Sequence, residues 1–264
     1  MSSIIICADD FGMSESIDVG IIKLIENDRL SATACMVMSP RWQEAAQLIT
    51  PQIKAKAAIG LHLDFTEFGE AYSLGRLIAL SLIRKLPKEV IEIIITKQLD
   101  LFESKMGVRP DYIDGHQHVH QLPVIREVLL KVLVDRYQQD LPWIRIAKPP
   151  LSVDFKAMVI RLLGARALRK KALALKFEFN TELLGIYDFS GDDAHYKLLF
   201  KDWLVKASKS TGTPALMCHP ALKQNNTDTN KDPIFKARLI EYEVLNSAFM
   251  GKLLEQFDLV KKPN

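Results

Sequence analysis

The chain has 264 residues, 48% hydrophobic and 25% charged, a composition that suits one large α/β domain or two small ones with a sizeable core. Lys and Arg number 35 against 32 Asp and Glu, and a net charge of +3 is too balanced to mark a nucleic-acid partner; the basic residues at 166–171 and 261–262 read as solvated helix and tail charge. Cys7, Cys35 and Cys218 lie far apart in apolar runs, which excludes a disulfide framework and suits small buried side chains in a reducing compartment.

Met1-Ser2-Ser3 leads straight into a strand. No charged segment followed by a long apolar stretch precedes it, and no apolar run reaches the length of a membrane span, so a cytoplasmic protein is expected. Residues 4–7 read as a buried β-branched strand, and Ser14 caps a helix with Ile17, Ile21, Leu24 and Ile25 at helical spacing. Residues 31–38 predict a second strand, 41–49 a helix stopped by Pro51, and 57–65 a third strand. Helical patterns then run over 76–106, broken near Pro87. A fourth strand is expected at 111–115, a helix at 122–136 and a fifth strand at 143–147. Residues 155–175 are helical and basic, 176–189 ambiguous and 195–208 helical. A late strand at 214–218, a final helix at 235–257 and a closing strand near Leu259-Val260 complete the chain. Repeated βα units argue for a parallel sheet, either a closed (β/α) barrel or a doubly wound layer, and both place chemistry at the C-terminal ends of strands.

The strand ends are where the polar residues fall. They read Asp9-Asp10, then Gly60-Leu61-His62-Leu63-Asp64, then Asp114-Gly115-His116-Gln117-His118-Val119-His120, and finally Cys218-His219-Pro220. Five of the six histidines sit there, and parallel strands would bring them to one rim. An aspartate with two or three neutral imidazoles is a ligand set for a divalent transition metal such as Zn, Mn, Co or Ni. Each piece also has a plainer reading. Asp9-Asp10 serves as a turn and helix cap, His62 as a hydrogen-bonded strand residue, and the alternating histidines as a polar strand face. Adjacent like charges at the end of a buried strand, however, need compensation that a cation supplies. Asp18, Asp28, Asp100 and Asp135 read as helix-face charges, His195 as a surface residue and Cys218 as core. Trp42, Phe68 and Tyr72 offer sugar-stacking faces or plain packing. No GxGxxG, P-loop or GxSxG motif is present, which removes support for a nucleotide cofactor or a serine nucleophile.

Taken together, Ala8-Asp9-Asp10-Phe11-Gly12, Gly60-Leu61-His62-Leu63 with Thr66, the 114–120 segment and Cys218-His219-Pro220 resemble, in order and separation, the YdjC-like carbohydrate deacetylases, the family of chitooligosaccharide deacetylase and the hopanoid-associated deacetylases. The resemblance runs from Ile4 to about Glu241 and includes Arg238. Residues 68–105 and 150–212 share only helix character with it, so the substrate carries over poorly.

The resemblance implies a single domain over 1–264: an α/β, distorted (β/α) barrel of mostly parallel strands related to polysaccharide deacetylases. It implies removal of acetyl from a small-molecule N-acetylated sugar with the help of one divalent metal ion, Mg or Zn foremost, with Mn, Co or Ni as alternatives. The ligands would be Asp10, His62 and His116, the general base Asp9, and the acid for the leaving amine His219. Arg145 would orient a carboxylate, Asp114 would back a ligating imidazole, and Asp64, His118 and His120 would stand near the substrate or behind the ligands. On a regular strand Asp9 and Asp10 point to opposite sides, so the Phe11-Gly12 turn is expected to re-aim one of them. Two other readings compete: another metal-dependent barrel hydrolase, a phosphoesterase or amidohydrolase, and a sugar-binding protein without catalysis. A homodimer stays open, since the apolar stretch 91–95 serves an interface as readily as a core.

Overall fold

The computed structural model describes residues 1–69, 72–150, 161–223 and 232–264. Its strands are β1 (Ser2–Phe11), β2 (Ala32–Cys35), β3 (Ala58–Leu63), β4 (Tyr112–Gly115), β5 (Trp143–Ile144), β6 (Leu183–Leu184), β7 (Ala215–Cys218) and β8 (Phe257–Leu259). They form one sheet in the order β5-β4-β3-β2-β1-β7-β6, with β8 paired to the start of β1. Every pairing is parallel, so the strand ends that carry the polar motifs reach the same rim.

The sheet curls until its two edges meet. Ile144 donates its N–H to the Glu178 carbonyl at 2.9 Å, and Leu183 donates to the Lys148 carbonyl at 2.9 Å. Between them the Asn180 side chain stands in for a strand residue, accepting from the Ile146 N–H at 2.7 Å and donating to the Ile146 carbonyl at 3.1 Å. The result is a distorted (β/α) barrel. The ambiguity of 176–189 in the sequence has this origin: part of its pairing runs through a side chain, which no alternation of apolar residues can report.

Helices occupy the crossovers. Ser14 Oγ caps Glu15–Glu26 by accepting from the Ile17 N–H, and the long pattern at 76–106 divides around Pro87 into Leu74–Leu82 and Lys88–Met106. Pro51 starts a helix, Pro51–Lys56 behind a Thr50 cap, in addition to ending the previous one. The final helix is broken at Ser247 into Phe235–Asn246 and Ala248–Leu254. Of the helical stretch expected at 155–175, residues 155–160 lie outside the described residues, and Arg166–Ala174 is helical. Ile91 and Ile95 are buried in the chain's own core while Ile93 is exposed. No described helix is long and apolar enough to cross a membrane.

Strand alternation sorts the side chains into two cores. Ile4, Ile6, Leu61, Leu63, Ile113, Ile144 and Cys218 face outward and pack with the helices. Ile5, Cys7, Ala58, Tyr112, Trp143, Ala215 and Met217 face the barrel interior. The interior is tight: a Cβ at Gly60 would lie 2.5 Å from the Tyr112 ring, so only glycine fits there. Two residues beyond this apolar layer, the next inward positions are Asp9, His62, Asp114, Arg145 and His219. One period-2 pattern on five strands therefore floors the barrel with carbon and roofs it with charge.

Asp18 departs from the sequence expectation. It lies on Glu15–Glu26 but is fully buried, with Oδ1 accepting from the Gly12 N–H at 2.6 Å and Oδ2 meeting Arg41 at 3.2 Å. Burial pushes its carboxyl up to about 6. It anchors the turn that follows the aspartate pair. His195, read as a surface residue, is exposed.

Candidate active site

Asp9 continues the inward series of Ile5 and Cys7, whereas Asp10 by strict alternation would face outward with Ala8. The chain resolves this at Asp10 itself, whose φ is +68°, inside a register break between Ala8 and Phe11 in the pairing with β2. A left-handed residue at a β-bulge turns the second carboxylate back over the rim. On the sequence the Phe11-Gly12 turn is expected to re-aim one of the pair; Gly12 is left-handed, at φ +96°, but the residue that turns the carboxylate is Asp10 itself.

Three residues from three strand ends converge. Asp10 Oδ1 lies 3.4 Å from His62 Nε2 and 3.1 Å from His116 Nδ1. One ligand atom from each falls within 4.8 Å of the others. His62 and Asp114 are register partners on β3 and β4, and the Asp114 carboxylate takes the other imidazole nitrogen, Nδ1, at 2.6 Å. A carboxylate behind a ring nitrogen fixes the tautomer and aims the remaining nitrogen at Asp10. Arg238 NH2 donates to Asp10 Oδ2 at 2.7 Å, and its Nε donates to Asp232 Oδ2 at 2.6 Å.

Asp9 has different partners. Arg145 NH2 donates to Asp9 Oδ2 at 2.6 Å and lies 2.6 Å from Asp114 Oδ2. His219 Nε2 is 3.9 Å from Asp9 Oδ2. Asp9 Oδ1 has the Cys7 thiol at 3.6 Å. A second grouping of Cys7, Asp9 and Asp114 also has metal-ligand spacing, but the Arg145 guanidinium already bridges its two carboxylates and serves as their cation.

The electrostatics follow from burial and these pairings. Asp10 is 1% exposed, yet Arg238 and the two imidazoles hold its carboxyl well below the usual range against the pull of burial. Asp114 is likewise lowered, to about 2, by Arg145 and His62. Burial disfavours a charged His62, but the Asp114 carboxylate beside it, with Asp10 and Asp9, raises the ring to about 10. A site that draws a proton onto a buried imidazole this strongly is built for positive charge. Three oxygen and nitrogen donors on Asp10, His62 and His116, a backed imidazole and surplus carboxylate charge fit a divalent cation.

His219 behaves oppositely: burial, helped by Arg238 and Arg145, pushes it down to about 4 despite Asp9 and Asp10. Its backbone N–H donates to Glu241 Oε2 at 2.5 Å, and Tyr187 donates to Glu241 Oε1 at 2.7 Å. Burial raises Glu241 to about 7.

The remaining sequence candidates divide. His118 lines the cavity, and burial with Arg145 and His120 nearby lowers its pKa well below the usual imidazole range. The 116–120 histidines do not form a strand face, because Gln117 and His118 are both left-handed, at φ +53° and +59°, and coil the chain after Gly115. His120 consequently turns under the site and donates from Nε2 to the Arg145 carbonyl at 2.9 Å. Asp64 does not reach the cavity: its two oxygens accept the N–H groups of Thr66, Glu67, Phe68 and Gly69 and knit the loop after β3. Thr66 ties that loop to the next through Gln117 at 3.1 Å. Trp42 stacks on Phe102 and donates to the Leu101 carbonyl, so it is packing. Among the described residues, the Phe189 ring meets the site, edge-on to His219 at 5.2 Å.

Above the cluster opens a cavity of about 660 Å³ with largely apolar walls, among them Met13, Leu74, Ile78, Leu163 and Ile234. Site roles for Arg238, Asp232 and Glu241 escaped the reading of the sequence. For Arg238 and Glu241 the signal was present: Ala237, Arg238, Glu241, Tyr242 and Leu245 fall on one buried helical stripe, and two charges on such a stripe require partners.

Fold and cluster together define a parallel β/α-barrel protein with paired carboxylates and imidazoles at the C-terminal rim. The chain belongs to the YdjC-like protein family, which it matches over residues 3–256. It is 27% identical to a chitooligosaccharide deacetylase of Citrobacter koseri over 257 residues, covering 93% of this chain and 91% of the relative. Among solved structures, a protein of Enterococcus faecalis V583 with a suggested role in cellobiose-phosphate cleavage superposes with a TM-score of 0.70 at 22% identity, covering 98% of this chain and 97% of that one. An uncharacterised protein of Agrobacterium tumefaciens C58 superposes with a TM-score of 0.55 at 12% identity, covering 98% and 87%. These two likenesses concern the fold.

Proposed function

We propose that this chain, acting as one barrel domain over residues 1–264, is a metal-dependent hydrolase that removes the acetyl group from an N-acetylated saccharide. Family membership and the chitooligosaccharide deacetylase relative support the class of reaction. The observation that carries it is the division of labour between adjacent carboxylates: Asp10 is joined to both imidazoles, while Asp9 is held apart by Arg145 beside His219.

One divalent cation, Zn or Mg foremost, would be held by Asp10, His62 and His116. When bound, it supplies Lewis acidity to an acyl oxygen and a water. Asp9 is the general base. Arg145 holds its Oδ2, on the side of His219, and so positions the carboxylate to take a proton from the attacking water. Water adds its oxygen to the acyl carbon, the carbon–nitrogen bond breaks, and acetate and the sugar amine leave. His219 is neutral at rest and stands 3.9 Å from Asp9 Oδ2, so the proton it delivers to the amine nitrogen is the one that Asp9 takes from the water. Glu241 fixes the His219 backbone for that transfer. A phosphoesterase using two metals fits less well, because the second grouping is filled by Arg145.

Acetate release from a panel of N-acetylglucosamine compounds, with and without chelator, tests the reaction. Asp9→Asn should bind the cation normally and lose turnover by roughly 100- to 10,000-fold. Full turnover in Asp9→Asn removes the base, and indifference to chelator removes the metal.

A further inference from the structure

We infer that the helix Arg166–Ala174, with the leucines that flank it, docks this chain onto an anionic lipid surface. Charge is nearly balanced over the whole chain, but residues 162–177 carry five Lys and Arg and no Asp or Glu; the next acid is Glu178. Ala165, Leu168 and Ala172 are buried and seat the helix on the core. The opposite face shows Arg166, Arg169 and Lys170, all exposed, and Leu173, 64% exposed. Leu173 follows those three by seven, four and three residues, so all four share one face and the leucine is ringed by cations. Leu162, 77% exposed, precedes the helix and Leu175, 42% exposed, follows it.

Among the described residues the surroundings do not cancel this charge. Glu127 Oε1 lies 3.9 Å from Lys171 Nζ but is shared with Arg126 Nε at 3.1 Å and Arg84 NH2 at 3.7 Å, so cations outnumber the one carboxylate. The Arg169 guanidinium lies over the Phe179 ring at 5.4 Å, and the residue is exposed, so no carboxylate offsets its charge in that contact. A single exposed leucine is ordinary. Three leucines among unopposed cations match the interfacial pattern in which basic heads meet lipid phosphates and apolar side chains enter the acyl boundary. A nucleic-acid face would set aromatic or polar side chains between its cations. Leu163, next to Leu162, lines the cavity above the Asp/His cluster, so docking brings a cavity wall to the interface whatever bond the site cleaves.

Sedimentation of the full chain with vesicles tests this. The chain should pellet with phosphatidylcholine vesicles containing phosphatidylglycerol, not with phosphatidylcholine alone, and high salt should release it. The double variant R166Q/K170Q should weaken partition by roughly 30-fold. L173S should weaken it several-fold without altering its response to salt. These side chains are exposed, so both variants should melt like the parent. Failure to pellet with phosphatidylglycerol vesicles overturns the inference, as does unchanged partition in either variant. Binding of a duplex DNA oligomer that equals vesicle binding and ignores L173S would assign the face to nucleic acid instead.

Discussion

The two ends of the barrel each hold a cavity, and the larger one lies away from the polar rim. At the N-terminal end of the strands a space of about 930 Å³ is lined by residues such as Arg109, Asp111, Trp143, Lys176 and Lys261. Its charges are settled at the surface: Arg109 pairs with Asp140, whose side chain is 80% exposed, and Lys261 donates to the Lys54 and Ala55 carbonyls. At the C-terminal end the cavity is smaller, but Asp9, Asp10, His62, Asp114, Arg145 and Arg238 are all nearly fully buried. Water settles charge cheaply at one end; at the other, each charge acts on its neighbours. Desolvated titratable groups, not volume, separate the two.

The sharpest way to break this contrast is to remove a nitrogen donor. His62→Ala and His116→Ala should each cost more cation affinity than the roughly 10- to 100-fold typical of losing a supporting carboxylate, and calorimetric titration of the purified chain with Zn or Mg reads this directly. Asp114→Asn tests the support itself. It should weaken cation binding by roughly 10- to 100-fold while leaving the fold intact, and unchanged affinity would mean that the 2.6 Å bond to His62 does nothing for the cluster.

Acid should expose the buried end next. His120 is pushed down from 6.5 to about 4 by burial. A folded pKa below the unfolded one means that its contribution is whole above pH 6.5 and is lost as pH falls toward 4, by about 3 kcal/mol. His120→Gln retains a donor for the Arg145 carbonyl and removes the titration. Urea midpoints of the cation-free protein should therefore fall less steeply over that window in the variant than in the parent. At the other end, Asp140→Asn breaks only an exposed pair, and stability and turnover should stay within about 0.5 kcal/mol.

Much of this was legible in residue order. Asp10, His62 and His116 stood at the ends of strands that alternation had already located, and parallel topology made their meeting expected. The ambiguous segment at 176–189 was not legible, because Asn180 pairs through its side chain. Asp64 misled: it ends a strand beside a histidine, but four backbone amides of the following loop claim it. Asp18 misled in the other direction, since its helical position says nothing of the Gly12 N–H that buries with it.

What the sequence determined alone was periodic. Strand patterns and repeated βα units put the ends carrying Asp9, Asp10, His62, Asp114, His116 and His219 on one rim, and period-2 alternation of those strands then gives the charged layer its apolar floor. What only the tertiary structure decided was aperiodic. Asp10 turns in at φ +68°, His120 turns under the site, and Arg238 and Glu241 reach it from a helix more than two hundred residues beyond Asp9 and Asp10. Local pattern encodes facing because backbone geometry repeats. It does not encode which distant charge will compensate a buried one, because that choice is made by packing after the chain has closed on itself.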